Sequence, residues 1–519
     1  MSPGQDQGPA KGPKDCRVCN RRRIKCDRGL PTCQKCNDRD LKCPGYSVPL
    51  KWIQGVASRG KAKGKGFPVP GAPQEITFVS GNVANSGDSS DSTPEDISDD
   101  VEEVVPRETS VQKSPAYDMD QIISLAPPQA SEFLNQPLVR RLLHHFNHDV
   151  ARRLAWVDSS DNPWRNIILP MALESPSLMF SVLALSAGDI SFKAPSGTSL
   201  SSQSLSVSTQ YRDKALELLA LQLKSETQGS DNNSLQTVDQ KPANKVLATT
   251  LMLFNLEILQ PGSAHWRLHL WAARTMIRRW GNTIHLPAPI DTTSTFLLQE
   301  FFVPNVCAFI TTFADTHDVA RDTLIHDNDS VFVDFHRVLQ EVTNLERRLA
   351  GQRGSAEDLM SFIQRLEEAR ERTLSLGQEL KFWSPKTRSE FAHVVEMFYH
   401  MGLIYSRRAV LGGSAPNANT WASRDRIFEL TRSLKETNAF IQDLVLPLFL
   451  AGTECRGCAN EQLFVESKFL EIIRATGPLD RWQILSFLKA FWSLEGNFSL
   501  SWIDFARARA QQGNSFMIY

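Results

Sequence analysis

The stretch Cys16-Arg17-Val18-Cys19-Asn20-Arg21-Arg22-Arg23-Ile24-Lys25-Cys26 is answered by Cys33-Gln34-Lys35-Cys36-Asn37-Asp38-Arg39-Asp40-Leu41-Lys42-Cys43. One ruler, Cys-x2-Cys-x6-Cys, is laid down twice. The fillings also rhyme: Asn20, Arg22, Ile24 and Lys25 match Asn37, Arg39, Leu41 and Lys42. The repeat predicts two short helix-plus-strand halves about a pseudo-two-fold axis. Scattered core thiols would not keep a ruler. Three disulfides would suit a small exported domain, but residues 1–15 are polar and Gly/Pro-rich, with no charged-then-apolar export signal. Zinc prefers four thiolates in a tetrahedron, and Cys-x2-Cys lets one turn present two sulfurs to the same ion. Six sulfurs are too many for one ion and too few for two separate sites. They suffice for two ions if two sulfurs are shared.

This stretch resembles the fungal six-cysteine binuclear zinc cluster, over Cys16 to about Tyr46. The resemblance implies that Cys16 and Cys33 bridge two Zn2+ ions. One ion would take Cys16, Cys19, Cys26 and Cys33; the other would take Cys33, Cys36, Cys43 and Cys16. Pro31 stands where the family shapes the loop between the halves. The only apolar residues available for a core are Val18, Ile24, Leu30 and Leu41, so metal binding is expected to supply the folding free energy. Arg21, Arg22, Arg23 and Lys25 make the first half strongly basic, whereas the second half holds Asp38 and Asp40 beside Arg39 and Lys42. The partner expected of that face is double-stranded DNA. Lysine and arginine contacts to phosphate give affinity, and contacts to base edges give sequence choice. In the family the end of the first helix enters the major groove and reads a G/C-rich triplet. Arg23 stands where the family usually has lysine, and arginine can pair with guanine O6 and N7.

Overall charge says little about partners, with 57 Lys and Arg against 58 Asp and Glu. Its distribution says more. Residues 11–65 hold 16 basic and 4 acidic residues, and residues 86–120 hold 11 acids against Arg107 and Lys113. A basic head thus precedes an acidic neck. Residues 1–15 read as disordered, 16–46 as the cluster, and 47–130 as a basic tail followed by an acidic disordered linker. Pro44, Pro49, Gly55 and Gly60 exclude a coiled coil directly after the cluster. Residues 131–519 read as one all-helical domain, with apolar residues at helical spacing over 137–156, 170–187, 211–223, 245–259, 265–280, 338–349, 356–376, 389–411, 424–434, 461–473 and 483–492. The serine-rich 196–208 and the polar 229–241 read as loops. The fold class is mainly α: a small cluster, a disordered linker and a large helical regulatory domain.

Asp161-Asn162-Pro163-Trp164-Arg165 with Ile168-Leu169-Pro170, Ser177 to Ala187, Tyr211 with Ala215-Leu216, and Trp266 with His269-Leu270 and Ala273 resemble the fungal-specific transcription factor domain. These motifs are less specific than the cysteines. Together the two resemblances imply a nuclear, zinc-dependent, sequence-specific regulator of RNA polymerase II transcription. Its targets would be metabolic, drug-response or secondary-metabolite genes, and its protein partners the transcription machinery or co-regulators. The alternatives are a nucleic-acid-binding accessory factor without promoter selectivity and a helical ligand-sensing or scaffold protein.

Other features read as structural. His144 and His148, one helical turn apart, lack the glutamate of a catalytic zinc helix. Cys455-x2-Cys458 has no second pair nearby. Leu359, Phe362, Leu366 and Ala369 form a row that reads as internal packing, with a homodimer seam as the alternative. The longest apolar stretch, Phe301 to Phe313, contains Pro304 and Asn305 and is too short to span a membrane. No phosphate loop, nucleophile elbow or dinucleotide fingerprint appears, so an enzyme has no constellation to rest on.

Overall fold

Apolar residues at three-four spacing form helices where capping groups mark their ends, and capping recurs throughout the computed structural model of this chain. It describes residues 15–16, 18–19, 22–29, 32–39, 41, 43, 128–228, 240–260, 263–283, 291–313, 330–349, 351–382, 384–413, 417–434, 437–477, 480–494 and 500–519. The expected disordered start (save Asp15), most of the linker, Arg21 and Pro31 lie outside the described residues. The chain divides into two units between Val105 and Pro106. Among the described residues there are helices and no strands.

In the first unit the cysteine repeat is visible in the backbone. The Ile24 N–H donates to Cys19 O at 3.1 Å, and the Leu41 N–H donates to Cys36 O at 3.0 Å. These two bonds are the same bond in each copy. The second copy holds a short helix, α1 (Gln34–Asn37), and the first holds one helical turn at Val18 and Cys19. The strand expected in each half is not formed among the described residues. Six sulfurs packed at the centre leave little chain for pairing.

The second unit is helical. Its first part runs α2 (Pro128–Leu134), α3 (Pro137–His145), a π-helical turn (Phe146–Val150), α4 (Ala151–Leu154), a second π-helical turn (Trp164–Ile168), α5 (Leu169–Glu174), α6 (Pro176–Lys193), α7 (Ser199–Gln228), α8 (Gln240–Ile258) and α9 (Trp266–Thr283). Its second part runs α10 (Thr292–Thr312), α11 (Val333–Leu349), α12 (Ala356–Glu379), α13 (Pro385–Leu411), α14 (Ala418–Ser433), α15 (Thr437–Phe440), α16 (Val445–Thr453), α17 (Ala459–Thr476), α18 (Arg481–Trp492) and α19 (Trp502–Gln511).

Residues 196–208 are not the expected loop, because α7 begins at Ser199. Serine competes for backbone bonds and so looks like loop, but here the hydroxyls join helices. Ser208 Oγ donates to Ala184 O at 2.8 Å, and Ser191 and Ser201 exchange hydroxyl-to-carbonyl bonds at 2.8 and 3.1 Å. These short side chains let α7 lie close against α6. Helix α6 is apolar on all sides, as a central helix should be, and packs against both α7 and α8. Helix α10 was only half legible as an apolar stretch. It starts at an Asp291 cap whose carboxylate accepts the Ser294 N–H at 2.8 Å, and it carries Pro304 internally. By length and composition alone α10 could cross a membrane, but 72% of its most apolar window is buried inside the helical unit.

The row at Leu359, Phe362, Leu366 and Ala369 packs inward. Phe362, Leu366 and Ala369 are buried and Leu359 lies against the same core. Ser355 and Asp358 form a reciprocal capping box at the start of α12. Helices α12 and α13 approach through two glycines. A Cβ on Gly402 would lie 2.5 Å from Leu366 Cδ2, and one on Gly377 would lie 2.4 Å from Phe391 Cε1.

Candidate metal centre and nucleic-acid interface

The sulfurs of Cys16, Cys19, Cys26 and Cys33 lie within 4.8 Å of one another, and so do those of Cys16, Cys33, Cys36 and Cys43. The two sets share Cys16 and Cys33. Sulfur separations include Cys16–Cys33 and Cys16–Cys36 at 3.6 Å, Cys19–Cys33 at 3.7 Å, Cys33–Cys43 at 3.9 Å and Cys19–Cys36 at 4.0 Å. Thiolates about 2.3 Å from a tetrahedral zinc stand about 3.8 Å apart; a disulfide would bring two sulfurs to about 2.0 Å. None of the six is in a disulfide and, apart from the half-buried Cys43, all are buried. The donor set therefore suits thiophilic ions held in two fused tetrahedra.

The thiols respond to this crowding. Burial and the neighbouring Cys16 push Cys19 up to about 12. Burial raises Cys36, helped by Cys16 and opposed by Cys33, and burial with Cys36 raises Cys33 far above the ordinary thiol range. Burial also pushes Cys26 upward, but backbone N–H groups outweigh it and hold that thiol below its ordinary value. Gathering six thiolates without cations is thus unfavourable, and binding a metal must displace protons.

Two acids that the sequence reading passed over hold this frame. Asp27 accepts the N–H groups of Gln34 at 2.9 Å and Lys35 at 3.2 Å, capping α1 from the other half of the repeat, and it also accepts the Gly29 N–H. The Gln34 N–H is the main reason its carboxyl falls to about 2. Asp15 accepts from Arg28 Nε at 2.8 Å and from the Cys26 N–H at 3.3 Å. Apart from the Asp27–Gly29 turn these contacts reach 7 to 13 residues along the chain, so no spacing rule could have found them.

The basic residues are not equivalent. Arg23 and Lys25 are exposed, whereas Arg22 is half-buried with its Nη1 enclosed and without a partner. Arg23 has φ 55°, the left-handed conformation in which glycine usually ends a helix. The Ile24-to-Cys19 bond closes that turn and sets Arg23 at the mouth of the first helical turn. Of the apolar set, Val18 and Ile24 pack on the cysteines, and Leu41 is exposed; Leu30 lies outside the described residues.

The secondary candidates make packing contacts. His144 and His148 stack with ring centroids 4.0 Å apart. Cys455 is buried and donates to Ala451 O, and Arg424 contacts Cys458 Sγ at 3.7 Å. In the stretch from Asp161, the Asn162 side-chain Oδ1 accepts the Trp164 N–H at 2.9 Å, Trp164 Nε1 donates to Leu154 O at 3.1 Å, and buried Arg165 donates to Asn147 O at 2.8 Å. These bonds pin the second π-helical turn to the first.

A zinc-suited thiolate cage and a large helical domain in one chain define a class, the binuclear-cluster regulators, and comparison with known proteins agrees. Residues 14–53 match the fungal Zn(2)-Cys(6) binuclear cluster domain. Residues 141–339 and 335–517 match the fungal specific transcription factor domain. That second match covers more than half of the chain, and the chain belongs to this family. A curated relative, the acriflavine sensitivity control protein acr-2 of Neurospora crassa, is 27% identical over 319 residues, 51% of each chain. The match thus spans about half the length of that relative. No solved structure matches.

Proposed function

We propose that this chain is a nuclear, zinc-dependent, sequence-specific DNA-binding transcription factor and not an enzyme. The observation that carries the reading is the pair of sulfur quartets sharing Cys16 and Cys33, with exposed Arg23 and Lys25 on the turn they brace. Cys16, Cys19, Cys26 and Cys33 hold one zinc, and Cys33, Cys36, Cys43 and Cys16 hold the other. Each ion neutralises thiolates that burial disfavours and supplies a rigid core that four apolar side chains cannot. Arg23 reads a guanine in a G/C-rich triplet through paired N–H bonds, and Arg21, Arg22 and Lys25 engage phosphates. Residues 47–130 tether the cluster to the helical domain of residues 131–519, which recruits or regulates.

Both family matches support this division, and the name of the Neurospora crassa relative fits a role in drug response. The test is selection of binding sites from random duplexes by the zinc-loaded full chain at stated salt. An enriched G/C-rich triplet is expected. Binding that falls with salt but enriches no sequence would overturn the promoter-selective reading.

A further inference from the structure

Inside the helical unit, α4, α10, α11, α13 and the segment leading into α16 enclose a cavity of about 60 Å3, room for about four to six water molecules. Its wall carries two carboxyl groups, Glu300 and Asp443. Neither is engaged by a side-chain hydrogen bond or ion pair with a described residue. Both are half-buried and line the cavity.

His336 is 1% exposed and also lines this space. Its Nδ1 lies 2.8 Å from Phe332 O, so Nδ1 carries the proton and Nε2 is left as an acceptor without a partner. Trp156 and Phe398 supply aromatic wall beside it, their centroids 5.8 Å apart at 78°. Among the described residues of the wall the arginine is Arg153, engaged by Asp189 and by Asp149 O. The buried Arg481, its Nε and Nη2 unpartnered, acts on Asp443 and Tyr519, so the chamber is rich in acceptors and aromatic on one side, with Asp443 offset by that guanidinium and Glu300 left without a cation among the described residues.

We propose that this chamber is a binding site for a small organic monocation, an ammonium with a short apolar body, with Glu300 as its counter-ion, Asp443 and His336 as further acceptors and Trp156 as its aromatic wall. An unpaired carboxyl in such a place is costly to ionise. Burial accordingly pushes Glu300 up to about 8. Asp443 is raised by burial and partly held down by Arg481, which makes Glu300 the acid left to answer a ligand's charge. Tyr519, also on the wall, keeps its proton because burial and the neighbouring Glu300 raise it. An ammonium over an indole face, contacting a carboxylate, gains both attractions where water is scarce.

The experiment is a thermal-shift and calorimetric titration of the zinc-loaded full chain with n-butylammonium, 1-butanol and butyrate. Butylammonium should raise the melting temperature in a saturable way, and Glu300→Gln should weaken its apparent affinity by about tenfold or more. Glu341→Gln, on the exposed face of α11, should leave it unchanged. Equal shifts with 1-butanol would overturn the proposal, since the cavity would then select only apolar bulk. A preference for butyrate, or no shift with any of the three, would overturn it as well. The wild-type series decides the matter even if Glu300→Gln fails to fold.

Discussion

Replacing Cys16 should cost both zinc ions, whereas replacing Cys19 should cost one. Cys16 belongs to both sulfur quartets, and Cys19 only to the first. Cys19→Ala leaves Cys16, Cys33, Cys36 and Cys43 as a complete tetrahedron; Cys16→Ala leaves two sets of three. A structural zinc contributes roughly 10–16 kcal/mol of apparent binding free energy at neutral pH. Val18 and Ile24, the apolar side chains packed on the cysteines, would contribute roughly 3–6 kcal/mol together even if fully buried. Cys16→Ala should therefore unfold the cluster, and Cys19→Ala should leave a half-ordered one. Native mass spectrometry of the full chain, with bound zinc counted beside the free-thiol titre, reads this directly. The expected zinc content is two for wild type, near one for Cys19→Ala and near zero for Cys16→Ala. Equal zinc content in the two variants would refute the sharing of Cys16.

Arg23→Ala should cost about 1–3 kcal/mol of discrimination at one base pair, read as the affinity ratio between the selected triplet and its mutated form. Gly402→Ala should destabilise the helical domain by about 1–3 kcal/mol through overpacking against Leu366, measured by denaturant unfolding. Arg408 Nε donates to Glu454 Oε1 at 2.7 Å, with both groups buried; Glu454→Ala removes that guanidinium's counter-ion and should cost about 3–5 kcal/mol. The buried Asp189 is shared by His145 at 2.7 Å, Arg153 and Lys193. Burial opposes its charge, but His145 and the cations outweigh it and hold it below its ordinary value. That stability is present above the unfolded carboxyl value of about 3.9 and fades as pH falls below it. Burial disfavours charged His145, but Asp149 and Asp189 more than compensate and raise it. That part is full below about 6.5 and fades as pH rises through the raised value. The melting-temperature gap between wild type and Asp189→Asn should thus be widest between those limits; a gap independent of pH would refute the pairing.

The cysteine ruler was legible because thiolate spacing is local chemistry, and the two shared sulfurs suggested by arithmetic reappear as shared quartets. The main helices were legible through the three-four row, as at Leu359 to Ala369. Asp15 and Asp27 were not legible, because they act across the repeat. The α7 start was lost because Ser201 and Ser208 turn their hydroxyls onto α6, and partner geometry is not written in one segment. Glu300 and Asp443 lie on different elements far apart in sequence, so only the folded domain shows that they share a cavity.

The duplicated backbone bond, Ile24 to Cys19 and Leu41 to Cys36, carries a consequence for polarity. A frame that repeats itself is nearly indifferent to which end meets a duplex. That choice then rests with decoration: three consecutive arginines on one end, and Asp38 and Asp40 flanking Arg39 on the other. Exchanging those two short decorations, with every cysteine untouched, should turn the module end for end on its target.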